Sequence, residues 1–292
     1  MKSEDLLGYN GKVVVVTGAA SGMGREAVSL LVELGAEVHA LDVAPIDLPV
    51  AQSLRIDLSD EALIDRAVEK LPDRIDCIFS CAGISAVYLG RTFSSVHVNL
   101  VNFVGARHFV EALLPRVPEG GAVALIASMA GSAWAKSLDK IDELLSTSTF
   151  AEARQWLEDH ADDPETIGGE PRLNRNYRFS KECIIAYAKR RTWDLAARKI
   201  RINTLSPGIT DTPMLPSFNA IAGLGDPQMK VIWPAVGRPS NPREQAEALL
   251  FLNSEMARYV SGVDLLSDYG YRVREQLGMP TAIEVIVERQ AG

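Results

Sequence analysis

The stretch from Lys12 to Gly24 constrains this chain more than any other. Four consecutive valines, Val13 to Val16, run into Thr17-Gly18-Ala19-Ala20-Ser21-Gly22-Met23-Gly24. An unbroken β-branched run reads as a strand buried on both faces, as in a parallel sheet. From Arg25 to Leu34, apolar Ala27, Leu30, Leu31 and Leu34 recur at helical spacing. Strand, glycine turn and helix in that order make a phosphate cradle. The glycines admit backbone close to a pyrophosphate, and the helix start supplies free N–H groups and the positive end of its dipole. Gly18, Ser21, Gly22, Met23 and Gly24 are candidate dinucleotide contacts. Their spacing is Gly-x-x-x-Gly-x-Gly, and a glycine turn of this kind also occurs for structural reasons alone.

The pattern repeats downstream. Glu37 to Asp42 reads as a second strand ending in an acid, 18 residues past Gly24. A carboxylate there can accept hydrogen bonds from ribose hydroxyls and would repel a 2′-phosphate. Neither 19–21 nor 43–45 offers a compensating Arg or Lys, so NAD is expected over NADP. Ser53 to Leu58 is a third strand, whose Asp57 can face the adenine with Leu58 beside it as a further cofactor-binding candidate, and a helix follows from Ser59, its expected N-cap, to Lys70. Further strands are expected over Ile75 to Cys81, Ala122 to Ala127, Ile200 to Leu205 and Gly262 to Leu266, with helices over 96–114, from Tyr177 towards Lys199, and 243–252. Strands alternating with helices predict an α/β, doubly wound Rossmann-type domain with a parallel sheet of about seven strands. No boundary marks a second domain, so 1–292 is read as a single unit.

Charge is concentrated in one place. The net charge of −8 is matched by the segment from Asp139 to Glu170, where ten acidic residues face only Lys140 and Arg154. This acidic stretch argues against a nucleic-acid surface. Its apolar positions, Leu138, Ile141, Leu144, Leu145 and then Phe150, Ala153, Trp156 and Leu157, predict two short amphipathic helices. No run of 18 apolar residues is present, so no membrane span is expected. The start of the chain lacks a signal-peptide core, and Cys77, Cys81 and Cys183 form an odd set, so a reducing cytoplasm is expected. Cysteines and histidines are too scattered for a metal site, and none is expected.

Five motifs then fall in register. Thr17-Gly18-x3-Gly22-x-Gly24, Ala82-Gly83, Ser128, Tyr177-x3-Lys181 and Pro207-Gly208 resemble, in order and approximate spacing, the short-chain dehydrogenases/reductases across about residues 10–270. The resemblance implies hydride transfer between a nicotinamide and a carbinol carbon. Tyr177 would be the general acid/base, and the Lys181 ammonium would favour its phenolate. Ser128 would hold the substrate oxygen, and Asn102, in Asn102-Phe103-Val104-Gly105, would complete a proton relay; Asn99 is the other candidate. Cys81, Ala82 and Gly83, together with Pro207, Gly208, Ile209 and Thr212, would line the cofactor beside Tyr177 and Lys181.

The chain also departs from the family. Cys81 stands where an Asn is usual, and Phe179 replaces a small residue. Ser267-Asp268-Tyr269-Gly270 only echoes an Asp-Gly-Gly. Ser128 and Tyr177 lie 49 residues apart instead of about a dozen, leaving a helical insertion over about 136–175. Two branches of the family share the long insertion: the bacterial 3α-hydroxysteroid dehydrogenase/carbonyl reductases and the coniferyl-alcohol dehydrogenases. The resemblance therefore implies an NAD-dependent dehydrogenase of a small, apolar, ring-containing alcohol or ketone, assembled as a homodimer or homotetramer. A sensor or scaffold that binds NAD without turnover is the non-enzymatic alternative. The insertion, with a substrate loop over about 209–240 that carries Phe218, Met229 and Trp233, is expected to wall the pocket. Otherwise the insertion covers a surface through which family members pair.

Overall fold

The computed structural model describes residues 6–164, 166, 175–221, 229–232, 236–279 and 284–287. The valine run forms β1 (Val13–Thr17), an inner strand of a seven-stranded sheet. Around it stand β2 (Glu37–Asp42), β3 (Gln52–Arg55) and β4 (Cys77–Ser80), and further along the sheet β7 (Ala122–Ile126), β8 (Arg201–Pro207) and β10 (Asp264–Ser267). The spatial order is β10-β8-β7-β4-β1-β2-β3, and every pairing is parallel. A short ribbon of β5 (Val87–Tyr88) and β6 (Arg91–Thr92) lies outside the sheet, as does the antiparallel pair β9 (Met229–Ile232) and β11 (Glu284–Val287).

Strand alternation divides the valines between two cores. Val14 and Val16 face a layer made with α1 (Gly22–Glu33) and α9 (Pro242–Asn253). Val15 faces the other layer, built from α2 (Glu61–Val68), α4 (Gly105–Leu113) and α7 (Arg175–Ala196). The expected helix over 96–114 is broken into α3 (Ser95–Asn99), one π turn over Leu100–Val104, and α4. The cap of α2 is Asp60, not Ser59: Asp60 Oδ1 accepts from Leu63 N at 3.1 Å, while Ser59 is turned to Asp57. Both residues suit an N-cap, and the register of the first turn decides between them.

The insertion forms α5 (Leu138–Leu145) and α6 (Phe150–Asp159), the latter started by a Thr149/Glu152 capping box. Ile141, Leu144, Phe150, Ala153 and Leu157 are buried in the same core as α7. Trp156 stacks on Phe179, with ring centroids 6.0 Å apart, and on His160 at 4.0 Å. Phe179 is two residues, about 200° of helix, round from Tyr177, so the partner of Trp156 lies on the reverse side of α7. The insertion therefore covers the outer layer and does not wall the pocket in its described part. This also accounts for Phe179, whose bulk fills the contact with α6. No described helix is long and apolar enough to cross a membrane.

Candidate functional site

The strand order reverses between β1 and β4, which opens a crevice beyond their carboxyl ends. On one side the glycine turn leaves β1. A Cβ on Gly18 would stand 2.6 Å from Ala82 N, and one on Gly24 would stand 2.1 Å from the Gly18 oxygen. Only glycine permits that approach of turn, helix and Cys81-Ala82-Gly83. Ser21 is the N-cap of α1 but makes no side-chain cap bond, and the first turn carries no acid. This helix start is thus open to an anion, with its dipole uncompensated. Thr212, in the loop after Pro207-Gly208, reaches the same turn, 3.4 Å from where a Gly22 Cβ would lie. Ile209 lies in the same loop, its carbonyl accepting from Ser240 N at 2.9 Å.

Asp42 closes the far end. Its carboxylate accepts from Ala20 N and Ala44 N, each at 2.9 Å, and so already holds the glycine turn. Asp57 accepts from both the amide and the hydroxyl of Ser59, at 2.9 and 2.7 Å, and Leu58 is buried. These two make a turn at the end of β3. The open helix start, the glycine-only approaches and Asp42 fit a dinucleotide with unphosphorylated ribose.

Beyond the crevice the other candidates converge. Ser128 follows β7 and caps a 3-10 turn over Met129–Gly131, its Oγ accepting from Ala130 N at 3.2 Å. Tyr177, on the first turns of α7, is buried, and Phe218 of α8 (Leu215–Ile221) stands edge-on to it with ring centroids 5.2 Å apart. Burial pushes the Tyr177 phenol up to about 12, while a hydrogen bond with Ser128 works the other way. Lys181 is one helical turn on. Its Nζ donates to the Ile126 carbonyl at 2.9 Å and lies 5.6 Å from the centre of the Tyr177 ring. Burial pulls its ammonium down to about 8, with Cys81 acting in the opposite sense, and Cys81 itself is pushed up to about 12 by burial.

The Lys181 ammonium donates its hydrogen bond to a carbonyl and stands over the Tyr177 ring, while burial favours the neutral phenol. Asn102 sits in the π turn. Its Oδ1 accepts from Ile84 N at 2.8 Å, and its Nδ2 donates to Ile84 O at 2.9 Å and to Ser180 Oγ at 3.0 Å. Ser180 Oγ in turn donates to the Tyr177 carbonyl at 2.7 Å. A Cβ on Gly83 would lie 3.4 Å from both Asn102 Oδ1 and Lys181 Nζ, so the bare glycine leaves space between them. Asn99 instead bonds Ser95 O and Asn176 O, which ties α3 to α7.

The structure thus brings Asn102, Ser128, Tyr177 and Lys181 together and places Asp57 on a local turn. Sequence reasoning did not single out Ser180 or the Ile126 carbonyl. A hydroxyl one residue before Lys181 was the available signal for the first; a main-chain carbonyl leaves none. Trp233 lies outside the described residues.

Comparison with known proteins bears on the family and the fold. Residues 12–138 match the family described as short chain dehydrogenase, and residues 166–272 that described as Enoyl-(Acyl carrier protein) reductase. The chain is 29% identical to the coniferyl-alcohol dehydrogenase of Pseudomonas sp. (strain HR199 / DSM 7063), over 89% of this chain and 96% of that one. It is 30% identical to the cis-4-hydroxycyclohexanecarboxylate dehydrogenase of Sinomonas cyclohexanicum, over 89% and 96%. Among solved structures, the 3-alpha-hydroxysteroid dehydrogenase from Pseudomonas sp. B-0831 complexed with NADH superposes with a TM-score of 0.69 at 25% identity, covering 91% of this chain and 99% of that one.

Proposed function

We propose that this chain, which belongs to the short-chain dehydrogenase family, interconverts a secondary alcohol and a ketone on a bulky apolar ring, using NAD(H). The observation that carries the reading is the buried Tyr177 phenol, with the Phe218 ring edge-on to it and Lys181 Nζ 5.6 Å from its centre. Phe218 makes that mouth apolar, which suits a ring. Asp42, the glycine turn and the open start of α1 would hold the dinucleotide, and Gly83, Pro207, Gly208, Ile209 and Thr212 would line its nicotinamide end. Once bound, the cofactor supplies the hydride acceptor or donor.

The protein's own part is to place and move one proton. Ser128 Oγ would donate to the substrate oxygen and orient it towards Tyr177. For reduction, the neutral phenol favoured by burial is already the form that gives a proton to the forming alkoxide. For oxidation it must first ionise, which needs positive charge nearby. Lys181 would supply part of that charge by turning from Ile126 O towards the phenol. Asn102, fixed by Ile84 and Ser180, keeps the adjoining space polar for the proton's exit. A primary aryl-allylic alcohol is the second reading, favoured by the likeness to coniferyl-alcohol dehydrogenase.

The test is NADH absorbance at about 340 nm with a panel of steroid, cyclic and aryl alcohols, run on the unaltered enzyme and on Tyr177→Phe. Loss of a general acid–base group costs roughly 10²–10⁴-fold in turnover. Near-normal turnover by the Phe variant, with NADH binding intact, refutes the assignment.

A further inference from the structure

A cavity of about 460 Å³ opens in the outer layer, where the joint between α5 and α6 meets α4 and α7. Small-molecule sites run from roughly 300 to 1,000 Å³, so the space suits a ligand of one or two rings. It is separate from the crevice. Tyr187, on its α7 wall, lies ten residues past Tyr177, about 15 Å further along the helix. Much of the wall is apolar: Val104 from the π turn, Leu145, and the rings of Phe150 and Tyr187.

The charges on that wall do not balance. The guanidinium groups of Arg107, Arg190 and Arg191 face a single carboxylate, Glu111. Arg190 is paired with Asp142, and Arg191 stands 2.8 Å from Glu111 and 2.6 Å from Asp194. Glu111 also accepts from the Tyr187 hydroxyl at 2.7 Å, and His108 is 2.7 Å from Asp65. The buried Nε–H of Arg191 is not aligned on Glu111 and has no acceptor. Arg107 differs from the other two. Its Nη1 donates to Leu144 O and Leu145 O at 3.2 and 3.5 Å, and its Nη2 to Thr147 Oγ1 at 2.9 Å. Every one of these acceptors is neutral. Arg107 thereby caps the end of α5, yet it forms no ion pair among the described residues. Burial pulls its pKa down, with Tyr187 and Glu111 acting in the opposite sense.

We propose that this cavity is a second ligand site, for a small carboxylate carried on one or two rings. The carboxylate would pair with Arg107, and the rings would lie against Leu145, Phe150 and Tyr187. A planar guanidinium matches a carboxylate through paired hydrogen bonds. Glu111 in the wall weighs against a phosphate dianion. The proposal does not depend on Tyr177 being the reacting group.

The test titrates the NADH-loaded full chain calorimetrically with 2-naphthoate, its uncharged amide and inorganic phosphate. Hydrogen exchange is followed over residues 144–150 and 187–191. Naphthoate is expected to bind with a Kd of about 1 mM or tighter and to slow exchange in both stretches. The amide and phosphate should bind at least tenfold more weakly. Arg107→Gln is expected to weaken naphthoate at least tenfold. Because Arg107 also holds the end of α5, Glu111→Gln gives a check of opposite sign. It neutralises the wall carboxylate while keeping an acceptor for Tyr187, and should tighten naphthoate roughly threefold. Equal binding of the amide, or unaltered affinity in both variants, overturns recognition of an anion. Equal or tighter binding of phosphate overturns the choice of a carboxylate. Slowing confined to the Gly18–Gly24 turn or to 177–181 puts naphthoate in the crevice and overturns the second site. Absence of naphthoate binding overturns it as well, and a changed oligomeric state of Arg107→Gln would then assign the cavity to a contact between copies.

Discussion

A methyl group added at Gly131 tests whether the distance between the Ser128 turn and α7 matters to the chemistry. Gly131 ends the short turn that Ser128 caps, and it packs face to face on the main chain of α7. A Cβ there would lie 2.7 Å from the Lys181 carbonyl carbon and 2.9 Å from both Glu182 N and Lys181 O. Ordinary contact begins at 3.4 Å, so the two segments must part by the difference from 2.7 Å, about 0.7 Å. The atoms met are helix backbone, which cannot rotate aside as a side chain would. The separation therefore falls between Ser128 on one side and Tyr177 and Lys181 on the other.

A misplacement near 1 Å can cost on the order of 10²-fold in rate. Gly131→Ala is expected to lower kcat by roughly tenfold to a hundredfold, with some loss of stability, about 1–3 kcal/mol. NADH affinity should hold, because the glycine turn leaves a different strand. Steady-state kinetics and NADH titration read the effect. Gly120→Ala is the control: Gly120 has φ of 84° and open space around it, and it precedes the amino end of β7, away from the site. That change should destabilise through backbone strain alone and leave kcat unaltered. A normal kcat for Gly131→Ala, or an equal fall for Gly120→Ala, refutes the positional argument.

Two further outcomes follow from the site. Asp42→Ala removes the acceptor of Ala20 N and the charge that repels a 2′-phosphate. Its kcat/KM preference for NAD over NADP should fall at least tenfold, and equal use of both cofactors by the unaltered enzyme would refute the role of Asp42. Lys181 has a folded value of about 8 against 10.5 when free. The folded protein therefore sheds this proton first, and stability rises with pH across roughly 8 to 10.5, the full cost being borne below 8. Melting curves of the unaltered protein and Lys181→Met should show their difference moving in favour of the unaltered protein over that window; a flat difference refutes it.

Much of this was legible in advance because it depends on short-range rules. The valine run and the Gly18–Gly24 turn locate β1 and the start of α1, and Asp42 is read from its place at the end of the second strand, 18 residues past Gly24. Tyr177 and Lys181 share a face because they are four apart on one helix. What escaped notice depended on partners distant in sequence. Trp156 is as apolar on a pocket wall as on the back of a helix, and only its contact with Phe179 decides between them. The state of Lys181 depends on the Ile126 carbonyl, which leaves no mark in the side-chain sequence. The short strand β11 reads as an apolar run of no fixed role until β9 pairs with it.

The contact between Arg175 and Ser137, 3.2 Å from Nη2 to Oγ, joins the place where the acidic excursion leaves the catalytic region to the place where it returns. A segment whose two ends touch is thermodynamically cheap to lengthen. Closure entropy grows only as the logarithm of the number of residues, so going from about a dozen residues to several dozen adds only about 1 kcal/mol. Burial of Ile141, Leu144, Phe150 and Leu157 offsets that several times over, at roughly 1.5–3 kcal/mol for each large apolar side chain. The two helices behave as an appendage plugged into the reverse of α7. Chains of this architecture can gain, lose or exchange such an appendage while Ser128 and Tyr177, held by separate elements, keep their distance.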